Sequence, residues 1–238
     1  MSDSLLDNLN TQQLQAVTAP NGQILVLAGP GSGKTRVLTR RLAYLIDRQN
    51  VPAYDIIAVT FTNKAAREMQ DRVSVMVQRN PEGIWLGTFH AMCARILRRE
   101  AHDSSVLPFN ASFVIFDSND QETLVKRALR ELNIDDKVHR PASIHAAISA
   151  AKNDLRLPGD MSRGTYKEEI VARVYSRYQE MLHTNNAVDF DDLLLWAARL
   201  LNESPFIAEK YAHRFQHVLV DEFQDTNLAQ YQLLKHLS

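Results

Sequence analysis

LAGPGSGKTRVL, residues 27–38, places three glycines, a proline, a serine and a lysine between two patterned stretches. Ahead of it runs the apolar Ile24-Leu25-Val26-Leu27; behind it Val37, Leu38, Leu42, Leu45 and Ile46 recur at helical spacing. Gly, Pro and Ser punctuate turns, but an ordinary turn does not need this many. A strand, a Gly-rich loop ending Gly33-Lys34-Thr35 and a helix together form the context of a phosphate-binding loop. Glycine lets backbone N–H groups converge on phosphate oxygens with no Cβ in the way, and the helix start adds unpaired donors and a positive dipole end. On that pattern Gly29, Gly31, Ser32, Gly33, Lys34 and Thr35 cradle ATP, Lys34 reaching the β- and γ-phosphates and the Thr35 hydroxyl meeting its Mg²⁺. Where the usual spacing calls for another glycine the chain has Ala28, at a strand end that tolerates a small residue.

Three more runs, Ile56–Phe61, Ile84–Leu86 and Val218–Val220, share the first run's β-branched character without alternation, as strands covered on both faces do. Helical stripes follow two of them: Ala65, Ala66, Met69 and Val73, then Met92, Cys93, Ile96 and Leu97. Alternating strands and helices predict an α/β fold, a parallel sheet with helices on both faces.

From Asp117 to Leu201 the rhythm becomes nearly all helical. Leu124, Val125, Ala128, Leu129 and Leu132 make one stripe; Ile170, Val171, Val174, Tyr175, Tyr178, Met181 and Leu182 make another, its tyrosines read as core. Strand character returns at Val218. The expected organisation is therefore a first sheet-forming part over 1–109, an inserted helical subdomain over 110–186, and a second sheet-forming part over 187–238.

Composition excludes several classes. With 238 residues, 45% hydrophobic and 23% charged, the chain can bury a large core and is not a disordered tail. No apolar run approaches the roughly 20 residues of a membrane span, so no membrane partner is expected. The start MSDSLLDNLN lacks the basic-then-apolar order of a signal peptide, and a single cysteine, Cys93, fits a reducing cytoplasm. Net charge is −1, and residues 111–187 hold 11 basic and 11 acidic side chains. Any polyanion site is therefore a local patch; Arg127, Lys152 and Arg173 are candidates for duplex contact, set among solvated faces.

VLVDEFQDTN, residues 218–227, is the second chemical signature. A strand ending in Asp221-Glu222 delivers two carboxylates to the sheet edge where ligands of open α/β folds bind. Asp221 would hold Mg²⁺ through its water shell and Glu222 would act as general base toward the attacking water. Asp225 is placed to cap the following helix, whose apolar positions are Leu228, Tyr231, Leu233 and Leu234. Asp189, Asp191 and Asp192 read as an acidic helix start rather than a metal site, and no metal beyond the nucleotide's Mg²⁺ is expected.

A phosphate loop with paired acids defines an NTPase and leaves its job open. LNTQQLQAV (9–17), AGPGSGKT (28–35), TFTNKAAREM (60–69), GTFHAMCARIL (87–97), DFDDLL (189–194) and DEFQDTN (221–227) resemble, in order and spacing, successive motifs of Rep/UvrD/PcrA-type superfamily-one DNA helicases. The resemblance covers essentially the whole chain. It implies a RecA-like first motor domain of a P-loop NTPase, carrying a helical insert, in an enzyme that unwinds DNA in repair or replication with 3′-to-5′ polarity. It also implies that Gln13 reads adenine, Arg36 stacks on it, and Gln224 links the nucleotide to the DNA site. Phe61, Thr62, Asn63 and Lys64, with Thr88, Phe89 and His90, would meet single-stranded DNA, and single–double-strand junctions are the further partner the resemblance implies. A Phe61 ring stacked on a base would contribute about 1–3 kcal/mol; read alone, Phe61 could equally finish the core and His90 be a hydrogen-bonded structural group.

Members of that family continue into a second motor domain that supplies arginines to the ATP site. An arginine finger contributes about 10³–10⁵ in rate, so these 238 residues alone are expected to hydrolyse ATP feebly or not at all. Competing readings are the motor part of a helicase–nuclease, a P-loop small-molecule kinase, and a DNA-binding module without catalysis. The kinase leaves TFTNKAA and DEFQDTN unexplained; the module leaves Lys34, Thr35 and Glu222 without a purpose.

Overall fold

The computed structural model describes residues 5–78, 81–102 and 104–238; residues 1–4, where the stretch read for a leader begins, lie outside them. The described elements are α1 (Thr11–Thr18), α2 (Lys34–Asp47), β1 (Ile56–Thr60), α3 (Asn63–Met76), β2 (Trp85–Thr88), α4 (Phe89–Glu100), β3 (Val114–Ile115), α5 (Ser118–Glu131), α6 (Pro141–Asn153), α7 (Tyr166–Thr184), β4 (Ala187–Val188), α8 (Phe190–Glu203), α9 (Pro205–Arg214), β5 (His217–Val220) and α10 (Leu228–Leu237). None of the described helices is long and apolar enough to cross a membrane.

Two compact units emerge. The sheet unit comprises Met1–Phe89, Tyr211–Asp225 and Leu237–Ser238; the helical unit comprises His90–Lys210 and Thr226–His236. The helical unit is thus wider than the stretch 110–186 marked by periodicity.

In the sheet unit β1 lies between β2 and β5, all parallel, with Thr60 level with Thr88 and Val59 level with Val220. Every residue of β1 is buried, which is why Ile56-Ile57-Ala58-Val59-Thr60 shows no alternation. Leu42, Leu45 and Ile46 of α2 and Met69 and Val73 of α3 pack with Ile56, Ala58 and Leu219. Elsewhere in the unit Trp85 meets the Phe215 ring edge-on at 5.0 Å and the Tyr211 ring at 6.2 Å.

One expected strand is not formed. Ile24–Leu27 is irregular, and these four side chains are 44–86% exposed. An apolar run becomes a strand only when a neighbour takes up its N–H and C=O groups. Among the described residues the ladder runs β2-β1-β5 and does not reach it.

The helical unit buries both predicted stripes against one another: Leu124, Val125, Ala128 and Leu129 of α5 and Ile170, Val174, Tyr175, Tyr178 and Leu182 of α7, joined by Ile144 and Ile148 of α6, with Leu132 partly buried at the margin. The tyrosines are core, each with its hydroxyl satisfied: Tyr175 donates to the Arg156 carbonyl at 3.0 Å and Tyr178 to Asp189 at 2.8 Å. The parallel pair β3–β4, two residues per strand, was too short to register as a pattern.

Two local expectations need correction. Asp225 lies in a short 3₁₀ turn; Asn227 caps α10 instead, accepting from the Gln230 N–H at 2.9 Å while its own N–H donates to Gln230 Oε1 at 3.0 Å. That reciprocal pair satisfies two helix-start donors with neutral amides. On α10 itself Leu233 and Leu234 are buried, whereas Leu228 and Tyr231 are nearly half exposed. Lys152 is no surface contact for duplex: it is fully buried, 2.6 Å from Asp189 and 2.8 Å from Asp192.

Candidate nucleotide and nucleic-acid site

The loop 29–33 owes its shape to two left-handed glycines. Gly31 has φ +73° and Gly33 φ +86°, values an L side chain tolerates only at a cost. A Cβ at Gly33 would stand 3.1 Å from Gln13 Nε2. Ser32 folds back, its hydroxyl donating to the Gly29 carbonyl at 2.6 Å. Gly33 is also the N-cap of α2 and supplies no side-chain acceptor, so the first N–H groups of α2 stay available to an anion.

Lys34 opens α2 and turns back over the loop. Its Nζ donates to the Ala28 carbonyl at 3.3 Å and lies 3.9 Å from Glu222 Oε2. That meeting follows from topology: the loop precedes α2, and β5 ends at the same edge as β1 and β2 because all three run parallel. Asp221 continues the ladder, its N–H donating to the Val59 carbonyl at 2.9 Å, and is buried. Burial raises its pKa above the usual aspartate value, the Glu222 carboxylate adds to the rise, and Lys34 opposes it. Glu222 turns out of the strand with φ +49°, a left-handed conformation costing on the order of 1 kcal/mol for a side-chain-bearing residue. Gln224 donates to Glu222 Oε2 at 2.6 Å and to Asp225 at 3.3 Å.

Residues 29–36 with Glu222, Gln224 and Arg72 line an open cavity of about 620 Å³. Arg72, on α3 and 3.3 Å from Glu68, was not foreseen; in the sequence it is one more helix-surface arginine. Gln13 is held on the loop: its Nε2 donates to the Ser32 carbonyl at 2.9 Å and its Oε1 accepts from the Asn10 N–H at 3.1 Å, closing the cap of α1. Arg36 is exposed. The chemistry on offer is a row of backbone donors, one ammonium, one buried carboxylate suited to a hard cation, and a second carboxylate aimed at the ammonium.

The other predicted residues follow the ends of β1 and β2. Phe61 is half-buried, its ring 5.7 Å from and edge-on to that of Phe89. Thr62 caps α3 by accepting from the Ala65 N–H at 3.1 Å, leaving Asn63 and Lys64 exposed in the first turn. Thr88 and Phe89 are buried, so in this conformation neither side chain is offered to solvent. His90 begins the helical unit half-buried, its pKa lowered by burial and partly restored by Asp191. Cys93 is a buried core thiol whose pKa burial raises.

With this geometry in view, residues 9–238 match the UvrD/REP helicase N-terminal domain. The chain belongs to that family. Similar proteins include the ATP-dependent DNA helicase PcrA of Staphylococcus aureus (strain Mu50), 46% identical over 238 residues, or 99% of this chain and 32% of the relative. PcrA of Bacillus subtilis (strain 168) is 45% identical over 240 residues, again 32% of its length. This UvrD/REP chain therefore spans about a third of the length of the curated relatives it matches. The match runs through both the cradle residues and the helical unit, and the fold is that of the N-terminal domain of a P-loop NTPase.

Proposed function

We propose that this chain is the ATP-binding part of an ATP-dependent DNA helicase that moves along single-stranded DNA, with 3′-to-5′ polarity, and opens duplex at single–double-strand junctions in repair or replication. The observation that carries it is the approach of Lys34 to Glu222 across the mouth of the loop, 3.9 Å apart. In the proposed division, 1–109 and 187–238 make the motor domain and 110–186 the insert; the rest of the polypeptide would supply the second motor domain.

The cradle fits a nucleoside triphosphate. Gly29, Gly31, Ser32 and Gly33 would present backbone N–H groups to the phosphates and Lys34 its charge, with Thr35 and Asp221 holding the accompanying Mg²⁺. Bound Mg²⁺ supplies charge neutralisation at the phosphate oxygens. Glu222 would take the proton of the attacking water, and Gln224 holds that carboxylate at 2.6 Å. Gln13 and Arg36 would address the base of ATP, and Phe61, Thr62, Asn63, Lys64, Thr88, Phe89 and His90 the DNA strand. For Thr88 and Phe89 that role requires the two side chains, buried here, to become accessible.

Titration with a fluorescent ATP analogue, with and without Mg²⁺ and a dT oligomer, tests the proposal. Expected is Mg²⁺-dependent binding whose affinity shifts when the oligomer is present. Nucleotide binding indifferent to DNA would favour the small-molecule kinase, and DNA binding alone the non-catalytic module.

A further inference from the structure

Within the helical unit, α6, α8 and α10 meet at one polar side chain. Asn153, the last residue of α6, donates to Asp191 Oδ1 at 2.9 Å and to the Ser149 carbonyl at 2.9 Å, while its Oδ1 accepts from Asn227 Nδ2. Both ends of the amide are thus used. Asp191 stands in the first turn of α8 beside Phe190, whose ring lies edge-on to His90 at 5.9 Å. Asn227 closes the segment DEFQDTN and caps α10.

Neither the α6–α8 junction nor the start of α10 depends on Asn153. Lys152 already fastens α6 to α8 through two carboxylates at 2.6 and 2.8 Å. The reciprocal Asn227–Gln230 pair already finishes the start of α10. What Asn153 adds is a fixed relation between two points that each lie just past a segment of the sheet unit: His90 directly after Phe89, and Asn227 two residues after Asp225. Those two segments carry the proposed DNA-contacting and acidic motifs.

We infer that Asn153 is a positioning residue which, through Asp191 on one side and Asn227 on the other, makes nucleotide binding at the acidic motif sensitive to a DNA strand at the 88–90 motif. The inference rests on the proposed nucleotide and DNA sites. Coupling between sites is a ratio of affinities, and it is reciprocal. It is carried by elements tied together, and its assignment to a residue needs a coupling measurement rather than position alone.

The test is the ratio of dissociation constants for the fluorescent ATP analogue without and with the dT oligomer, measured beside the thermal midpoint. In the unaltered protein the ratio should be about fivefold or more, the lower end of ordinary allosteric couplings. Asn153→Ala should bring it close to one while leaving nucleotide affinity without DNA, and the thermal midpoint, nearly unchanged. Asn153→Asp sets two carboxylates face to face and should lose the ratio as well. Adding Asp191→Asn to it exchanges donor and acceptor between positions 153 and 191, leaving only the bond to the Ser149 carbonyl unmade, and should restore most of the ratio. A ratio preserved in Asn153→Ala, lost only together with affinity and thermal midpoint, or not restored by the exchange would overturn the inference. An unaltered protein that binds no oligomer would overturn the proposed DNA site and this inference with it.

Discussion

Replacing Lys152 with methionine should destabilise the helical unit by about 3–5 kcal/mol, the usual cost of removing one partner from a buried ion pair. Lys152, Asp189 and Asp192 are all essentially inaccessible, so one ammonium serves two carboxylates, with Tyr178 donating to Asp189 at 2.8 Å and Gln179 to Asp192 at 3.1 Å. Tyr175 and Tyr178 add ring faces 5.8 and 5.0 Å from the ammonium. Burial works against the lysine's charge, but the two aspartates prevail and its pKa rises. Without the ammonium, two carboxylates remain in a dry core and at least one must take up a proton. Urea denaturation followed by far-UV circular dichroism measures the loss; a change below about 1 kcal/mol would show that the pair is dispensable.

The same cluster predicts a pH dependence. Burial and the Asp189 charge, opposed by Lys152, push Asp192 up to about 6, whereas Asp189, held mainly by Lys152 against its own burial, lies below the usual aspartate range. A raised acid keeps its proton when folded in a window where the unfolded chain has released it. Folding stability from Asp192 therefore falls as pH rises from the ordinary aspartate value of 3.8 to about 6 and is flat above that. Asp192→Asn should remove that decline relative to the unaltered protein. Asp189 has the opposite sign: its contribution is present above the ordinary value and is lost at lower pH.

Lys34→Ala and Glu222→Gln should separate binding from chemistry. The Lys34 ammonium faces the loop mouth with 29% of its side chain exposed, and charge-assisted contacts to phosphate are strong. Its removal should weaken the triphosphate by about 3 kcal/mol, roughly a hundredfold, with less effect on the diphosphate. Glu222→Gln removes the carboxylate that competes for Lys34 at 3.9 Å, so nucleotide affinity should hold or tighten. Any hydrolysis should nevertheless drop by about 10²–10⁴, the ordinary contribution of a general base. Isothermal titration supplies the affinities and phosphate release the rate. Glu222→Gln weakening the nucleotide as much as Lys34→Ala would place both residues in binding alone.

Much of this was legible because its causes are local. The Gly29–Thr35 spacing, the helix stripes and the unalternating β1 are written in neighbouring residues, and each stands in the structure. What escaped depends on partners far along the chain. Lys152 looks like any basic residue until Asp189 and Asp192, nearly forty positions on, close around it. Gln13, marked only by the family resemblance, looks by itself like a surface glutamine until the Ser32 carbonyl meets it, and Asn153 shows nothing until Asn227 arrives. Ile24–Leu27 reads as a strand because apolar β-branched character is local, while a ladder partner is not. The left-handed backbone of Glu222 has no marker in the sequence, since glutamate is not a residue that favours it.

A crystal structure of the chain grown with Mg²⁺ and a non-hydrolysable ATP analogue decides whether the loop 29–35 is a triphosphate cradle. The triphosphate should lie along the N–H groups of 29–35 with its γ-phosphate drawing Lys34 away from Glu222, and the metal should stand between Thr35 and Asp221. A nucleotide bound elsewhere, or a loop that keeps its Lys34–Glu222 contact and admits no phosphate, would rule out that role for the loop.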